Sequence, residues 1–566
     1  MRMTVSTRLL GALLALGSVS TASQSCRCFP GDDCWPSQDV WSSFNETVEG
    51  RLIATVPIAS PCHAPNYDAE VCKELKNEWM EPEVHYNSSS SIMAPFFTNG
   101  TCDPFHPVSK PCTLGNLINY AVNVSTPEHV SKTLSFVKKH NIRLVVRNTG
   151  HDYNGKSTGA GSVGLWMHHL KDIEINDFSS KYYNGKAMKM GAGVQGIEAY
   201  TAAHNQGLEV VGGECPTVGI AGGYSQGGGH SALASRYGLA ADQVLEWEVI
   251  DGRGNFVTAR RDNEYKDLYF ALSGGGGGTY GVVWSMTSKA HTGHATSGLN
   301  LTFTNAGISQ DTYYEAVKLY QEKLPAIVDA GAMSVWYFTN TSFSISPLTG
   351  PNIPVAELNA LVKPFTDGLK KLGIKYQIYS QQFDSYLEEF EAMQAPIQVG
   401  IAQYGGWLVP RSVVAEQNDA LTDAYRYITE DGATFIGVGL NVSRALVGED
   451  IDEINAVLPA WRETLIDTTI TTPWSWTASR AAMVAEQRKM TDQYIPRLAA
   501  LSPHSGAYLN EGDFEQPNFQ SVFYGNKYDK LRAIKAQYDP DEVFYGKTAV
   551  GSEEWRQLSD GRLCRA

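Results

Sequence analysis

The chain has 566 residues, of which 43% are hydrophobic, 11% aromatic and 19% charged. That is the make-up of a folded globular protein with several domain-sized units, and it excludes a disordered or collagen-like chain. The 60 acidic side chains against 45 Lys and Arg leave a formal net charge of -15; with no basic patch to override it, this surface repels phosphate backbones, so nucleic acid is not an expected partner.

At the amino end, Arg2 and Arg8 precede the apolar run 9–19 and the small residues Ser20, Thr21 and Ala22. A charged start, a short apolar stretch and a small-residue cleavage site predict a secretory signal over residues 1–22, against the alternative of an ordinary buried helix. Neither this run nor any later one is long and uncharged enough to cross a bilayer, so the expectation is a soluble, secreted protein with no membrane partner. Asn-x-Ser/Thr acceptors at Asn45, Asn87, Asn99, Asn123, Asn300, Asn340 and Asn441 add an expectation of N-glycans.

Region 23–115 is rich in cysteine. Cys26, Cys28, Cys34, Cys62, Cys72, Cys102 and Cys112 crowd it, Cys564 stands almost at the carboxyl end, and Cys215 is alone between them. In an oxidising compartment the eight terminal cysteines predict four disulfides of open connectivity, a better reading than a metal site because the spacing is not that of a zinc finger. Cys215 is then left over, either as a buried thiol or as a covalent attachment point.

Residues 116–297 are dense in glycine. Thr126 as N-cap and Pro127 at the first position open a helix with Val130, Leu134 and Val137 on one face, closed by Lys138, Lys139 and His140 where cations suit the dipole. A buried strand over 142–146 leads into the polar turn 147–155. A strand over 187–193, a helix over 195–205 and a strand over 208–211 then open into the glycine-rich segment 212–229. The Asp-Gly turn at 251–254 predicts a hairpin between 244–251 and 256–258, and the glycines 274–278 precede a strand at 280–283. Gly191, Gly193 and Gly196 match the dinucleotide pattern G-x-G-x-x-G, without a clear strand-helix-strand context or the acidic residue some 20 positions on.

From 298 to 504 long helical patterns alternate with aromatic strands near 336–339 and 404–407, which marks a second domain. The tail 505–566 carries Tyr508-Leu509-Asn510-Glu511 and a helix over 528–538 stopped by Asp539-Pro540. His168-His169 are expected in surface and packing roles, Trp474 and Trp476 in the core or on a glycan-facing surface, and the acidic stretch 449–453 on a solvated face.

Five segments carry a resemblance: RNTGHDYNGKS (147–157), ECPTVGIAGGYSQGGG (214–229), RYGLAAD (236–242), YLNEGD (508–513) and FYGNKYDKLRAIKAQYDP (523–540). Together they resemble the FAD-linked oxidoreductases of the vanillyl-alcohol oxidase and p-cresol methylhydroxylase (PCMH) type, in their berberine bridge enzyme-like branch, over roughly residues 100 to 550. The resemblance implies an α+β fold: a two-part PCMH-type FAD-binding domain (116–297), a substrate domain with a large antiparallel sheet (298–504), and a berberine bridge-like segment (505–566) returning to the first.

It also implies FAD bound twice, through His151 to the flavin 8α-methyl group and through Cys215 to ring carbon 6, which would account for the leftover cysteine. Arg147, Asn148, Thr149, Gly150, Asp152 and Ser157 would form one side of the cofactor cradle, and Pro216, Thr217, Val218, Gly219, Gly222, Gly223 and Gly228 the other, with backbone groups holding the pyrophosphate and ring. A small Val218 resembles the oxygen-reactive members. Sugar-oxidising relatives carry Tyr-x-Asn-Tyr, the second Tyr taking the substrate proton, where this chain has Tyr508-Leu509-Asn510-Glu511, which the resemblance implies as a last strand. Here Glu511 is either the base, if desolvation raises its pKa, or a structural hydrogen-bond partner. Tyr508 and Asn510 would line the flavin, Tyr153 is a second pocket residue, and no metal is expected.

The cysteine-rich amino end and ECPTVG look most like the secreted isoamyl alcohol oxidase group. The expected reaction is therefore oxidation of a small-molecule alcohol with O2 as acceptor, giving an aldehyde or ketone and H2O2, by a monomer. The alternatives are a carbohydrate oxidase, a ring-closing oxidase of secondary metabolism and a non-catalytic glycoprotein.

Overall fold

The computed structural model describes residues 26–566; the expected signal 1–22 lies outside the described residues. The eight terminal cysteines pair as Cys26–Cys564, Cys28–Cys34, Cys62–Cys72 and Cys102–Cys112, and Cys215 is free. The first of these ties the two ends of the chain together across 538 residues.

The helix Pro127–Lys139 starts from Thr126 in extended conformation and ends at His140. Its buried face, Val130, Leu134 and Val137, packs in one core with Leu144, Val163 and Leu165. It connects Tyr120–Asn123 to Arg143–Arg147, and both strands lie parallel to Ser162–Trp166 between them. Parallel strands need such a crossover. A second sheet is antiparallel throughout, in the order Ile173–Ser179, Asn184–Gly191, Gly281–Lys289, Val244–Asp251, Phe256–Arg260. The hairpin turn is held by Asp251, whose Oδ1 accepts from the amides of Arg253 (2.9 Å) and Asn255 (2.8 Å).

This sheet disposes of the dinucleotide pattern. Asn184–Gly191 runs antiparallel to both neighbours, whereas that motif needs a parallel strand-helix-strand unit. Gly193 is there for packing: a Cβ would stand 2.2 Å from the His168 carbonyl oxygen.

The third sheet has seven antiparallel strands, in the order Tyr376–Phe383, Thr296–Thr304, Ser342–Pro351, Met333–Phe338, Thr434–Gly439, Thr464–Pro473, Ala402–Pro410. Alternation sends one set of side chains, including Trp336, Phe338, Phe343 and Phe435, into a core shared with Tyr320 and Tyr425 of the helices Gln310–Asp329 and Asn418–Glu430. The opposite set is free to face the first two sheets. An α+β protein with a large antiparallel sheet is what the sequence led us to expect.

The tail returns to the first half. In the helix Tyr528–Tyr538, Lys535 Nζ donates to the carbonyls of Thr279 (3.0 Å) and Phe544 (2.9 Å) and pairs with Asp539 (2.9 Å). The stretch 508–511 is not the strand expected but a turn, in which the Glu511 amide donates to the Tyr508 carbonyl (3.1 Å). The acidic stretch is not merely solvated either: Asp452 pairs with Arg444 (2.7 Å) and Lys527 (3.2 Å). Trp476 is a packing residue, donating to the Gly400 carbonyl (3.0 Å) and meeting Trp79 edge-on. His168 is buried, while His169 is exposed and bonds Asn123 (2.8 Å).

Candidate active site

Where the two halves meet, a cavity of about 420 Å³ is bounded by the turn after Arg143–Arg147, the glycine-rich segment, the seven-stranded sheet and the tail. Arg147, Asn148, Thr149, Gly150, His151, Asp152, Tyr153 and Ser157 all line it, as does the opposite set Cys215, Val218, Gly219, Gly222 and Gly223. Gly150 sits at φ +90°, which lets the turn reverse at no steric cost. Asn154 then ties the turn to the tail, donating to the Leu509 carbonyl (2.8 Å).

Three expected contacts, Pro216, Thr217 and Gly228, are not on the cavity wall. Pro216 spends its carbonyl on the amide of Ile197 (3.0 Å), and Gly228, at φ +124°, lies behind Tyr508, which a Cβ would approach to 3.7 Å. Thr217 also stands behind the wall, but it joins the two expected attachment residues. Its Oγ1 is 2.7 Å from His151 Nε2 and 3.5 Å from Cys215 Sγ, and that sulfur is 3.9 Å from the same imidazole nitrogen. Burial, with His85 adding a smaller push, lowers the His151 pKa to about 3, so its imidazole is neutral and keeps a nucleophilic lone pair. Burial pushes the Cys215 thiol up, so it is protonated at neutral pH.

The wall suits FAD. Arg147 is only 1% exposed; Nη2 donates to the His85 carbonyl (3.0 Å), while Nε and Nη1 have no partner. A buried guanidinium with no carboxylate beside it calls for an anionic group such as a pyrophosphate. Asn148 Oδ1 and Gln226 Oε1 are likewise buried without a donor. Gly219 makes room for Asn148, whose Nδ2 a Cβ would meet at 2.1 Å, and a Cβ at Gly223 would project into open space.

The other pole of the cavity is acidic. His230 Nε2 donates to Glu511 Oε1 (3.0 Å), its Nδ1 is ion-paired with Glu214 Oε2 (3.1 Å), and Thr469 Oγ1 donates to Glu511 Oε2 (2.9 Å). Burial opposes a charge on His230, but Glu214 and Glu511 outweigh it and hold its pKa well above the usual value, so it is an imidazolium. Burial likewise raises Glu511, and His230 together with Thr469 pulls it below the ordinary carboxylate range. This corrects the condition set for a base at Glu511: its basicity is not raised by desolvation, because a cation sits against it.

Behind them, Asp467 is 1% exposed and its Oδ2 has no hydrogen-bond partner; burial and the nearby Glu511 push its pKa well up. His230, Asp467 and Glu511 bring ligand atoms within 4.8 Å of one another.

Tyr153 is stacked on Tyr404 of the strand Ala402–Pro410, with centroids 3.8 Å apart and planes 11° from parallel. Burial raises both phenols, Tyr404 to about 12, so both keep their protons at neutral pH. Tyr508 and Asn510 line the cavity as expected. Asn510 Nδ2 donates to the Tyr508 hydroxyl (2.7 Å) and the Gly223 carbonyl (2.9 Å), and Tyr508 packs edge-on against His230. Sequence reasoning missed His230, Thr469, Tyr404 and Asp467, and it gave Glu214 no role. A signal existed only for His230, an ionisable residue closing the run Gly227-Gly228-Gly229 inside a segment already singled out.

Residues 118–260 match the family model described as "FAD binding domain", and residues 507–551 the one described as "Berberine and berberine like". The chain is 48% identical over 563 residues to FAD-linked oxidoreductase patO of Penicillium expansum, covering 99% of this chain and 98% of the relative. It is 40% identical over 565 residues to bifunctional decalin synthase calF of Penicillium decumbens, covering 97% of each. The crystal structure of the VAO-type flavoprotein MtVAO615 from Myceliophthora thermophila C1 superposes with a TM-score of 0.91 at 41% identity, covering 96% of this chain and 100% of that one. With that fold, that cradle and these relatives, the chain belongs to the FAD-linked oxidoreductases of the vanillyl-alcohol oxidase type, berberine bridge enzyme-like branch.

Proposed function

We propose that this oxidoreductase is a secreted oxidase of a small, largely apolar alcohol, with FAD attached through both His151 and Cys215. The observation that carries the reading is the convergence of a neutral imidazole and a free thiol, 3.9 Å apart, at the cavity. Bound FAD would supply the acceptor for a hydride and, with O2, a route to H2O2. The chain's part is to position and to handle one proton. Backbone groups around Asn148–Asp152 and Thr217–Gly223 would hold the cofactor, and Glu511, oriented by His230 and Thr469, would take the hydroxyl proton.

Met93, Val335, Ile397, Val399, Ile436 and Val438 give much of the remaining cavity an apolar wall. That favours an apolar alcohol over an oligosaccharide, whose many hydroxyls need polar partners. The same wall, and a relative named for decalin synthesis, favour oxidative tailoring of a secondary metabolite as the second reading. Four disulfides are consistent with an extracellular protein, and Asn87 and Asn99 are exposed and available to glycans.

The test is acid precipitation of the secreted protein. Yellow flavin should stay with the pellet in the wild type and in His151→Ala and Cys215→Ala singly, and leave it in the double variant. A colourless wild-type pellet overturns covalent attachment. A panel of apolar alcohols and sugars, scored for peroxide, then separates the substrate readings.

A further inference from the structure

Glu511 is met by a cation, and that cation is met by a second carboxylate. The three side chains come from separate places: Glu214 just before Cys215, His230 at the end of the glycine run, and Glu511 in the tail. We propose that His230 is a positioning residue that presents the Glu511 carboxylate to the reacting hydroxyl group, and that Glu214 keeps His230 charged when Glu511 takes up the proton. The inference rests on the reading of Glu511 as the acceptor in alcohol oxidation.

The geometry fixes Glu511 from both sides. Oε1 accepts from His230 (3.0 Å) and Oε2 from Thr469 (2.9 Å), so the carboxylate plane is set while its remaining lone pairs border the cavity. Glu214 matters in the next state. In alcohol oxidation the substrate's O–H proton would pass to a Glu511 oxygen, leaving Glu511 neutral, while bound FAD would supply the acceptor for the hydride of the C–H bond. With no other counter-charge the buried imidazolium would be stranded, which is costly. Glu214, 3.1 Å from Nδ1, keeps it paired in both states.

No other group facing Glu511 serves. Tyr508, which is buried, and Tyr153, Tyr224 and Tyr404, which are half-buried, are phenols whose pKa desolvation raises, so they stay protonated at neutral pH. Asp467 is a carboxyl group pushed toward its neutral form, and it would add negative charge if it ionised. Among the described residues, His230 is the cation whose charge acts on Glu511.

The holoenzyme tests this through the infrared carboxylic-acid band of Glu511, identified by its loss in Glu511→Gln and followed against pH. In His230→Gln the band should persist to a pH about one unit or more higher than in the wild type, since the cation that favours the carboxylate is gone. In Glu214→Gln it should move the other way, because protonating Glu511 now strands the imidazolium. His230→Lys, which keeps a cation, should return the band toward its wild-type position. The acid limb of anaerobic flavin reduction by an alcohol should shift with the band while KM changes little. A merely structural ion pair would also move the band, but it would lower the melting temperature and leave the acid limb of flavin reduction where it was.

An unmoved band in His230→Gln and Glu214→Gln, in enzyme that an alcohol still bleaches, overturns the triad alone. A band that shifts as expected, in a wild type that no alcohol bleaches, overturns the alcohol reading and with it the role at the hydroxyl.

Discussion

Asp242 and Arg462 form an ion pair that staples the two halves together, and its removal should be costly. The two side chains are 2% and 0% exposed, and the contact is bidentate: Arg462 Nη2 donates to Oδ1 (2.8 Å) and Nη1 to Oδ2 (2.9 Å). Asp242 also accepts from Asn455 Nδ2 (2.7 Å) and from the Leu239 amide (2.9 Å). Asp242→Asn keeps the size and some of the hydrogen bonds, but it leaves a guanidinium buried without a counter-charge. Breaking one partner of such a pair costs about 3–5 kcal/mol. If a unit of ~250 residues melts cooperatively, at roughly 2 °C per kcal/mol, the melting temperature should fall by about 6–10 °C.

Scanning calorimetry or near-ultraviolet circular dichroism reads this directly. The control is the double variant Asp242→Leu/Arg462→Met, which removes both charges together and should recover much of the loss, because the penalty lies in the stranded cation and not in the absent attraction. A single variant melting within about 2 °C of wild type would refute the reasoning.

Two further outcomes follow from buried groups elsewhere. His85, 2% exposed, accepts from Ser91 Oγ at Nδ1 (2.8 Å) and donates to the Trp79 carbonyl from Nε2 (2.8 Å), and burial lowers its pKa to about 4. The unfolded chain therefore binds a proton on this residue before the folded one does. Stability should be full above about pH 6.5 and fall as the pH drops toward 4, by up to about 3 kcal/mol. Thermal melts against pH should lose that slope in His85→Gln, and an equal slope in both proteins would count against the assignment. Gly193→Ala puts a Cβ 2.2 Å from the His168 carbonyl, a backbone atom that cannot swing away. It should cost about 1–3 kcal/mol in a urea melt while leaving retained flavin unchanged, and an unshifted midpoint would show that the backbone there is free to adjust.

Much of the fold was legible because its signals are local. The Pro127–Lys139 and Tyr528–Tyr538 helices and the Asp251 hairpin follow from caps, periodicity and turn residues that act within a few positions of one another. Nine cysteines leave one over, and the isolated position of Cys215 between the cysteines of the two ends singled it out before any geometry was known. The G-x-G-x-x-G spacing misled for the same reason it was visible: the pattern is local, whereas its meaning depends on whether the neighbouring strands run parallel.

The site divides along the same line. The turn 147–157 and the segment 214–223 could be singled out from the chain because they are contiguous motifs that carry the family resemblance, and of the site residues expected in them all but Pro216 and Thr217 line the cavity. The charge state of Glu511 could not, because it is set by His230, 281 positions away, by Thr469 on a strand of the other half, and by Glu214 through the imidazole. The stacking of Tyr153 on Tyr404 and the stranded carboxyl of Asp467 are of that kind as well. By itself, then, the sequence determined the secondary structure near its caps and turns, the cysteine count and the contiguous motifs that border the cavity. Only the tertiary structure decided which groups carry charge around the reacting position. Electrostatic work depends on distance and burial in space, and strand register and domain packing, not spacing along the chain, fix both.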